Sequence, residues 1–335
     1  MNTKQEIIDA MNRENDGTAP PALFTQTGTV GQMEACGAYW PDAFHDIDKM
    51  IELALQPSRQ FGFATARIPY DITSEAERLG CIVSEGTVNT QPAVMGSKYN
   101  TGEIMEPPED LMSVDEFLSG GRVAMHLEAA RRISKEHPEL FLTSNILSPQ
   151  GVAAFLVGME NFMMGTFMCP ETCIKWIEKV APYQYELAGA FSEVSDNVMI
   201  IVDASEEVTP PESLDTFTIP FQKEMMSHIK ESFSLVHTCG QTSNVLEIIA
   251  SLGATAVSVE SFGDPQSIVD RIGDKTVLAG GVDPIKTLLQ STPEAVVDSA
   301  KKAADAGYGI IMPECGVPPS TPDSNLLALA EYRSR

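Results

Sequence analysis

The chain has 335 residues, enough for one α/β barrel or two ordinary domains, and its 43% hydrophobic and 21% charged residues give a globular composition. Its 47 acidic residues outnumber 22 basic ones, and a formal charge of −25 disfavours phosphate backbones and anionic lipid, so neither nucleic acid nor membrane is expected as a partner. Six cysteines, no apolar leader in Met1–Glu6 and no run of 18 apolar residues argue against a disulfide framework and a spanning helix, and for a reducing cytoplasm.

Met1–Glu6 begins a polar, amphipathic helix. Strand-like and helix-like segments then alternate. Apolar, β-rich runs fall at Ala22–Thr25, Phe61–Ile68, Leu140–Ile146, Val198–Asp203, Phe233–Val236, Ala256–Val259, Thr276–Ala279 and Gly309–Met312. Helical patterns fall at Ile47–Leu55, Glu171–Glu193, Pro211–Glu231, Asn244–Leu252, Pro265–Ile272, Pro293–Ala306 and Asp323–Arg333. Such alternation predicts a parallel sheet. Eight units without a GxGxxG after the first strand predict a single (β/α)8 TIM barrel over residues 1–335. The glycine- and proline-rich stretch Cys81–Asp110 breaks the rhythm and reads as an insertion after the second unit, a hairpin or lid.

His237-Thr238-Cys239 and Cys315 carry the most chemistry. Each follows a short apolar run, so in one parallel sheet all three would sit at C-terminal strand ends, the face where barrels place their chemistry. Two thiols and an imidazole suit zinc, and three protein ligands leave the fourth position of a catalytic ion open. The bland alternative is buried free cysteine acting as a small hydrophobe. Cys169 and Cys173 share a helix face and read as core, as does the run Met159, Met163, Met164 and Met168. Asp283-Pro284 and Thr321-Pro322 read as helix N-caps followed by proline. Gly280-Gly281 would serve a tight turn or a ligand's approach to the backbone.

The chain resembles the uroporphyrinogen decarboxylase superfamily and, within it, the methylcobamide:coenzyme M methyltransferases. The resemblance rests on Pro69-Tyr70-Asp71, on Glu75 through Cys81, and on Asn197 through Ser205. It continues in Pro220-Phe221, His237 through Gly240, Leu278 through Pro284, and Cys315-Gly316 leading to Pro319 through Pro322. One departure is Gly280-Gly281, where relatives often have Asn before the Val-Asp/Ser-Pro. The HxC…C pattern belongs to the methyltransferase branch; the Arg-rich N-terminal motif of the decarboxylases is not found. The resemblance implies a (β/α)8 barrel that moves a methyl group from a methylated corrinoid (cobalamin) protein to a thiol such as coenzyme M. Zn2+ would be held by His237, Cys239 and Cys315.

Within that expectation, Glu260 is a displaceable fourth zinc ligand or a loop carboxylate. Asp203 and Asp71 orient a ligand or line the cobalamin cavity, and Arg67 meets the anionic end of the thiol. Three alternatives stand beside this reading. One is a relative using homocysteine or a folate, though such enzymes usually carry a second barrel. Another is a decarboxylase-like enzyme with structural cysteines. The third is a non-catalytic corrinoid- or metal-binding module.

Overall fold

The computed structural model describes residues 2–15, 17–25, 28–205 and 210–335. Lys4–Met11 forms the first helix, fixed by a capping box in which Thr3 and Glu6 exchange side-chain and backbone hydrogen bonds. Its buried residues are Ile7, Ala10 and Met11.

The strands are β1 (Thr65–Ile68), β2 (Cys81–Val83), β3 (Val94–Ser97), β4 (Phe141–Leu147), β5 (Asn197–Ile201), β6 (Phe233–His237), β7 (Ala256–Ser258), β8 (Val277–Val282) and β9 (Ile310–Pro313). Seven of them form a parallel sheet in the order β1-β4-β5-β6-β7-β8-β9. The expected strand Ala22–Thr25 is an extended segment with a single parallel bridge, Pro21 to Ile311. The segment still links the sheet's two edges. Ala22 N–H donates to Ile311 O (2.9 Å) and Leu23 N–H to the Thr65 hydroxyl (3.3 Å). Strands and segment together give the eight staves of the expected barrel.

Side-chain alternation divides the apolar residues into two cores. One lies between strands and surrounding helices and includes Ala66, Ile68, Leu142, Ile146, Val198, Ile200 and Val236. The other draws on every stave: Phe24, Ala64, Phe141, Met199, Leu235, Ala256, Val277 and Ile310, with Ile7, Ala10 and Met11 of the first helix packed against them. Most of these residues start their strands. The barrel is therefore filled at its N-terminal end and floored by that helix. Phe141 anchors the floor, its ring 5.5 Å from Phe24 and 6.2 Å from Phe233.

The insertion is a hairpin, as expected: β2 and β3 pair antiparallel, with Cys81 opposite Ser97. Other elements differ from expectation. Gly121–Glu136 is a further helix, with an apolar stripe of Val123, Leu127, Ala130 and Ile133 flanked on its buried face by Arg122 and His126. Pro149–Val157 and Met159–Met168 are two further helices, split at Gly158. Pro211–Glu231 is two helices, Pro211–Phe217 and Ile219–Ser227, divided just before Pro220, whose missing N–H interrupts the ladder. Asp283 caps its helix as expected, accepting from the N–H groups of Ile285 and Lys286. Thr321 does not: Pro322 is the cap residue and no side chain bonds the helix start. Gly280 and Gly281 lie inside β8 rather than in a turn, and a Cβ on Gly281 would meet Ala303 Cβ at 2.2 Å, so close helix–strand packing requires the glycine. Cys173 is buried as expected, but Met164 and Met168 are exposed rather than core residues. No single described helix is long and apolar enough to cross a membrane.

Candidate metal centre and its cleft

The C-terminal ends of the strands form the opposite face from the aromatic floor. His237 is the last residue of β6, and the parallel ladder sets it opposite Ser258 of β7. The ladder continues as Val202 N–H donates to His237 O (2.9 Å) and Thr238 N–H to Ser258 O (3.1 Å). Cys239 and Cys315 each follow a strand end by two residues. The fold brings all three predicted ligands together, with their ligand atoms within 4.8 Å of one another. His237 Nε2 lies 3.2 Å from Cys239 Sγ, and Cys239 Sγ 3.0 Å from Cys315 Sγ. His237 Nδ1 lies 3.1 Å from Ser258 Oγ. A proton on Nδ1 donated to Ser258 leaves the Nε2 lone pair aimed at the thiols, the arrangement a metal-bound imidazole needs.

The set fits a tetrahedral zinc ion. Legs of about 2.3 Å to sulfur require a sulfur–sulfur edge of about 3.8 Å, which side-chain rotation alone would reach from the separations seen. The two thiols share protons unequally. The hydrogen bond from Cys239 draws the Cys315 thiol well below its ordinary range against the opposing effect of burial, with His237 adding to the fall. The same contact pushes Cys239 strongly upward, reinforced by burial and by the nearby charges of Cys315, Glu260 and Asp203. A site that readily carries one negative charge between two sulfurs favours a soft cation.

The triad opens on a cleft of about 160 Å³ whose walls include Arg67, Tyr70, Gln91, Met199 and Ile201. Gln91 comes from the hairpin insertion and donates to Tyr70 O (3.1 Å), so the hairpin supplies one wall. Arg67 is buried in β1, and its Nε donates to Asn145 Oδ1 of β4 (2.8 Å). Burial pushes its pKa down to about 10, against the opposing charges of Asp71, Cys315 and Tyr70, which leaves it cationic at neutral pH.

The other predicted residues are placed elsewhere. Glu260 Oε1 accepts the Gly240 N–H (2.8 Å) and stands outside the three-ligand cluster. The Asp71 carboxylate is fully buried beneath the cleft, paired with Arg122 Nη1 at 2.7 Å and bonded to Thr73 N–H at 2.8 Å. Burial pushes the Asp71 pKa up, but Arg122, His126 and Thr73 together hold it below the ordinary range. Asp203, just past β5, lines a second pocket with Met159, Phe162, Met163 and Phe217, and burial raises it to about 6. Sequence reasoning missed Ser258, Asn145, Tyr70 and Gln91. Strand register could have found Ser258, since a neighbouring strand end must face His237.

Comparison with known proteins agrees with this geometry. The uroporphyrinogen decarboxylase family model matches residues 2–335. The chain belongs to the uroporphyrinogen decarboxylase family. It is 32% identical over 333 residues to a methylcobamide:CoM methyltransferase of Methanosarcina acetivorans, covering 98% of this chain and 96% of that one. A methylcobamide:CoM methyltransferase of Methanosarcina barkeri is 28% identical over 335 residues, covering 98% and 97%. Among solved structures, a methyltransferase from Methanosarcina mazei superposes with a TM-score of 0.90 at 28% identity, covering 99% of this chain and 98% of that chain. Within the family, this member therefore falls in the methylcobamide:CoM methyltransferase branch, as its motifs implied.

Proposed function

We propose that this chain, as a single barrel domain in the cytoplasm, transfers a methyl group from a methylated corrinoid protein to a small anionic thiol, coenzyme M first among them. One observation carries the reading: a soft His–Cys–Cys set and a buried arginine face the same small cleft at the barrel mouth. Zn2+ bound there would hold the acceptor sulfur as a thiolate at neutral pH. His237, Cys239 and Cys315 hold the metal, and Ser258 fixes the imidazole tautomer. Met199 and Ile201 give the sulfur an apolar wall that limits its hydration. Arg67 takes the anionic end of the thiol. The sulfur attacks the methyl carbon, a C–S bond forms, and the Co–C bond breaks with its electron pair left on cobalt. The thiol proton goes to solvent.

Glu260 remains the candidate for the fourth metal position, which it would occupy while sharing its contact to Gly240 N–H. Asp203, in the second pocket, is the candidate for contact with the corrinoid, while Asp71 acts by holding Arg122 and the turn that follows β1.

The cleft argues against the alternatives. Homocysteine would bring an ammonium group toward Arg67. A porphyrinogen with many carboxylates would need several cations, and among the described residues lining the cleft Arg67 alone has a permanent positive charge. The test is methylcobalamin demethylation with a panel of thiols, alongside metal analysis of the same protein. About one zinc per chain and turnover with anionic thiols are expected; full activity after exhaustive chelation would overturn the reading.

A further inference from the structure

Resting on that reading, we propose that Ser261 and Glu314 are positioning residues that set the spacing of the two metal-binding thiols. Cys239 and Cys315 stand on different loops, 76 residues apart in the chain. β7 and β8 lie between β6 and β9 in the sheet, so no strand pairing joins those loops directly. The loop after β7 spans the gap. Gly240, next to Cys239, gives its N–H to Glu260 Oε1 (2.8 Å). Ser261, next to Glu260, donates its hydroxyl to the Glu314 carboxyl group, and Glu314 immediately precedes Cys315. The two thiols are thus joined by a tie that runs Cys239-Gly240, Glu260-Ser261, Glu314-Cys315, with a side-chain hydrogen bond at each step between loops.

Each part of the tie is held in place. Ser261 and Glu314 are 8% and 2% exposed, so water offers no ready replacement for their contact. The Glu314 backbone is fixed as well, its N–H extending the ladder to Val282 O of β8 (2.9 Å). Its side chain lies over Gly280 of β8, where a Cβ would already stand 3.6 Å from Glu314 Cγ, so the glycine leaves the room that the tie crosses. Burial raises the Glu314 carboxyl to about 7 against the hydrogen bonds from Ser261, with the charges of Asp283 and Glu260 adding to the rise. In either protonation state the group keeps an oxygen that accepts from the serine hydroxyl. The loop itself is strained. Phe262, the next residue, has φ +50° and a half-exposed ring. A bulky residue persists in the left-handed region only where its surroundings impose it. Here the constraint comes from two sides: Ser261 is bound to Glu314, and Lys302 Nζ donates to Gly263 O (2.6 Å). A loop held this way fixes how far thiols now 3.0 Å apart can open toward the edge of about 3.8 Å that zinc requires.

Two measurements on the full chain test this: zinc affinity by competition with a chromogenic chelator, and the absorption spectrum of the protein loaded with cobalt(II) in place of zinc. Ser261→Ala cuts the tie. Zinc affinity should fall about 10–100-fold, the scale of a lost supporting group around a metal, and the cobalt bands should shift as the angle between the two sulfurs changes. Glu314→Ala should repeat both effects. The double variant should lose no more than either single one, because both changes cut the same tie. Glu314→Gln keeps the side-chain shape and an oxygen that accepts from Ser261, so its zinc affinity should stay within about threefold of native. The serine and glutamine variants report even if Glu314→Ala fails to fold. A general loss of stability would leave the cobalt spectrum of the folded protein unmoved. Zinc affinity of Ser261→Ala within about twofold of native with an unchanged cobalt spectrum would overturn the proposal. So would single losses that add in the double variant, or a Glu314→Gln variant as weak as Glu314→Ala. Metal binding that responds as expected in a protein that methylates no thiol would instead overturn the methyl-transfer reading and leave this assignment standing.

Discussion

The two ends of the barrel are built on opposite principles. The floor is mainly apolar: Phe24, Phe141 and Phe233 stack above Ile7, Ala10 and Met11 of the first helix. The mouth places Arg67, Asp71, His237 and Ser258 in buried positions on or just past the same strands. Apolar burial stabilises by about 25 cal/mol per Å², whereas each buried polar group costs free energy unless it is bonded. The floor can therefore hold the strands in place while the mouth keeps groups that suit chemistry better than stability.

The sharpest way to separate the two ends is to remove a ligand. Cys239→Ser should leave less than one-tenth of a zinc per chain and reduce thiol methylation on the order of 10³-fold, since a metal's electrostatic contribution amounts to several kcal/mol. The unfolding midpoint of the metal-free variant should match that of chelated native protein. A variant that keeps its zinc, or unfolds well below chelated native protein, would show that the mouth is not separable from the fold. Phe141→Ala is the converse change. Removing this fully buried ring should cost about 3–5 kcal/mol in urea unfolding, with zinc content near one wherever the variant is folded. A loss below about 1 kcal/mol would mean that the aromatic stack is not what holds the floor.

A smaller effect tests the support beneath the metal ligands. Ser258→Ala removes the partner of His237 Nδ1, so zinc affinity, measured by competition with a chromogenic chelator, should fall about 10–100-fold. An unchanged affinity would show that the imidazole is held by the strand alone.

How much of this was legible in the sequence follows the same division. His237, Cys239 and Cys315 were legible because each ends an apolar run and a parallel sheet gathers such ends on one face. The eight-unit order was legible from alternating patterns, yet its first member forms a single bridge, Pro21 to Ile311, instead of a strand. Gly121–Glu136 carries a helical apolar stripe, Val123, Leu127, Ala130 and Ile133; what the sequence hides is the burial of Arg122, drawn inward by Asp71, a partner that only the tertiary fold supplies. Asn145 was hidden for a related reason: it sits within an apolar strand and acquires meaning only when β1 delivers Arg67 beside it. Of the two other clustered cysteines, Cys173 packs inward from the helix Pro170–Ser192 while Cys169 caps its start, and burial, with Cys169 nearby, drives the Cys173 thiol up to about 12. Spacing along a helix gave them proximity; strand ends gave the other pair a cleft.

The smallest predicted effect asks whether the mouth lowers stability at all. Asp203 is raised to about 6 by burial, against about 3.9 in an unfolded chain. Between those values the folded protein binds more protons at this site than the unfolded one. Its favourable contribution is therefore complete below about pH 4 and is lost as pH rises through about 6. Above that, the ionised carboxylate sits where its charge is poorly solvated, a cost we take as about 1–2 kcal/mol because the side chain keeps some solvent contact. Asp203→Asn removes the charge and keeps the shape. The variant should gain about 1–2 kcal/mol over native protein in urea unfolding at pH 8, about half as much at pH 5, and little at pH 4. Comparing the two proteins at each pH cancels any change in zinc binding that both share. A gain independent of pH would show that the effect is steric, and a loss at pH 8 would show that the carboxylate stabilises its pocket. If the stabilised variant also turns over methylated corrinoid protein more slowly, with free methylcobalamin less affected, Asp203 is kept for the partner at the expense of the fold. That is the trade expected of a mouth built for chemistry above a floor built for stability.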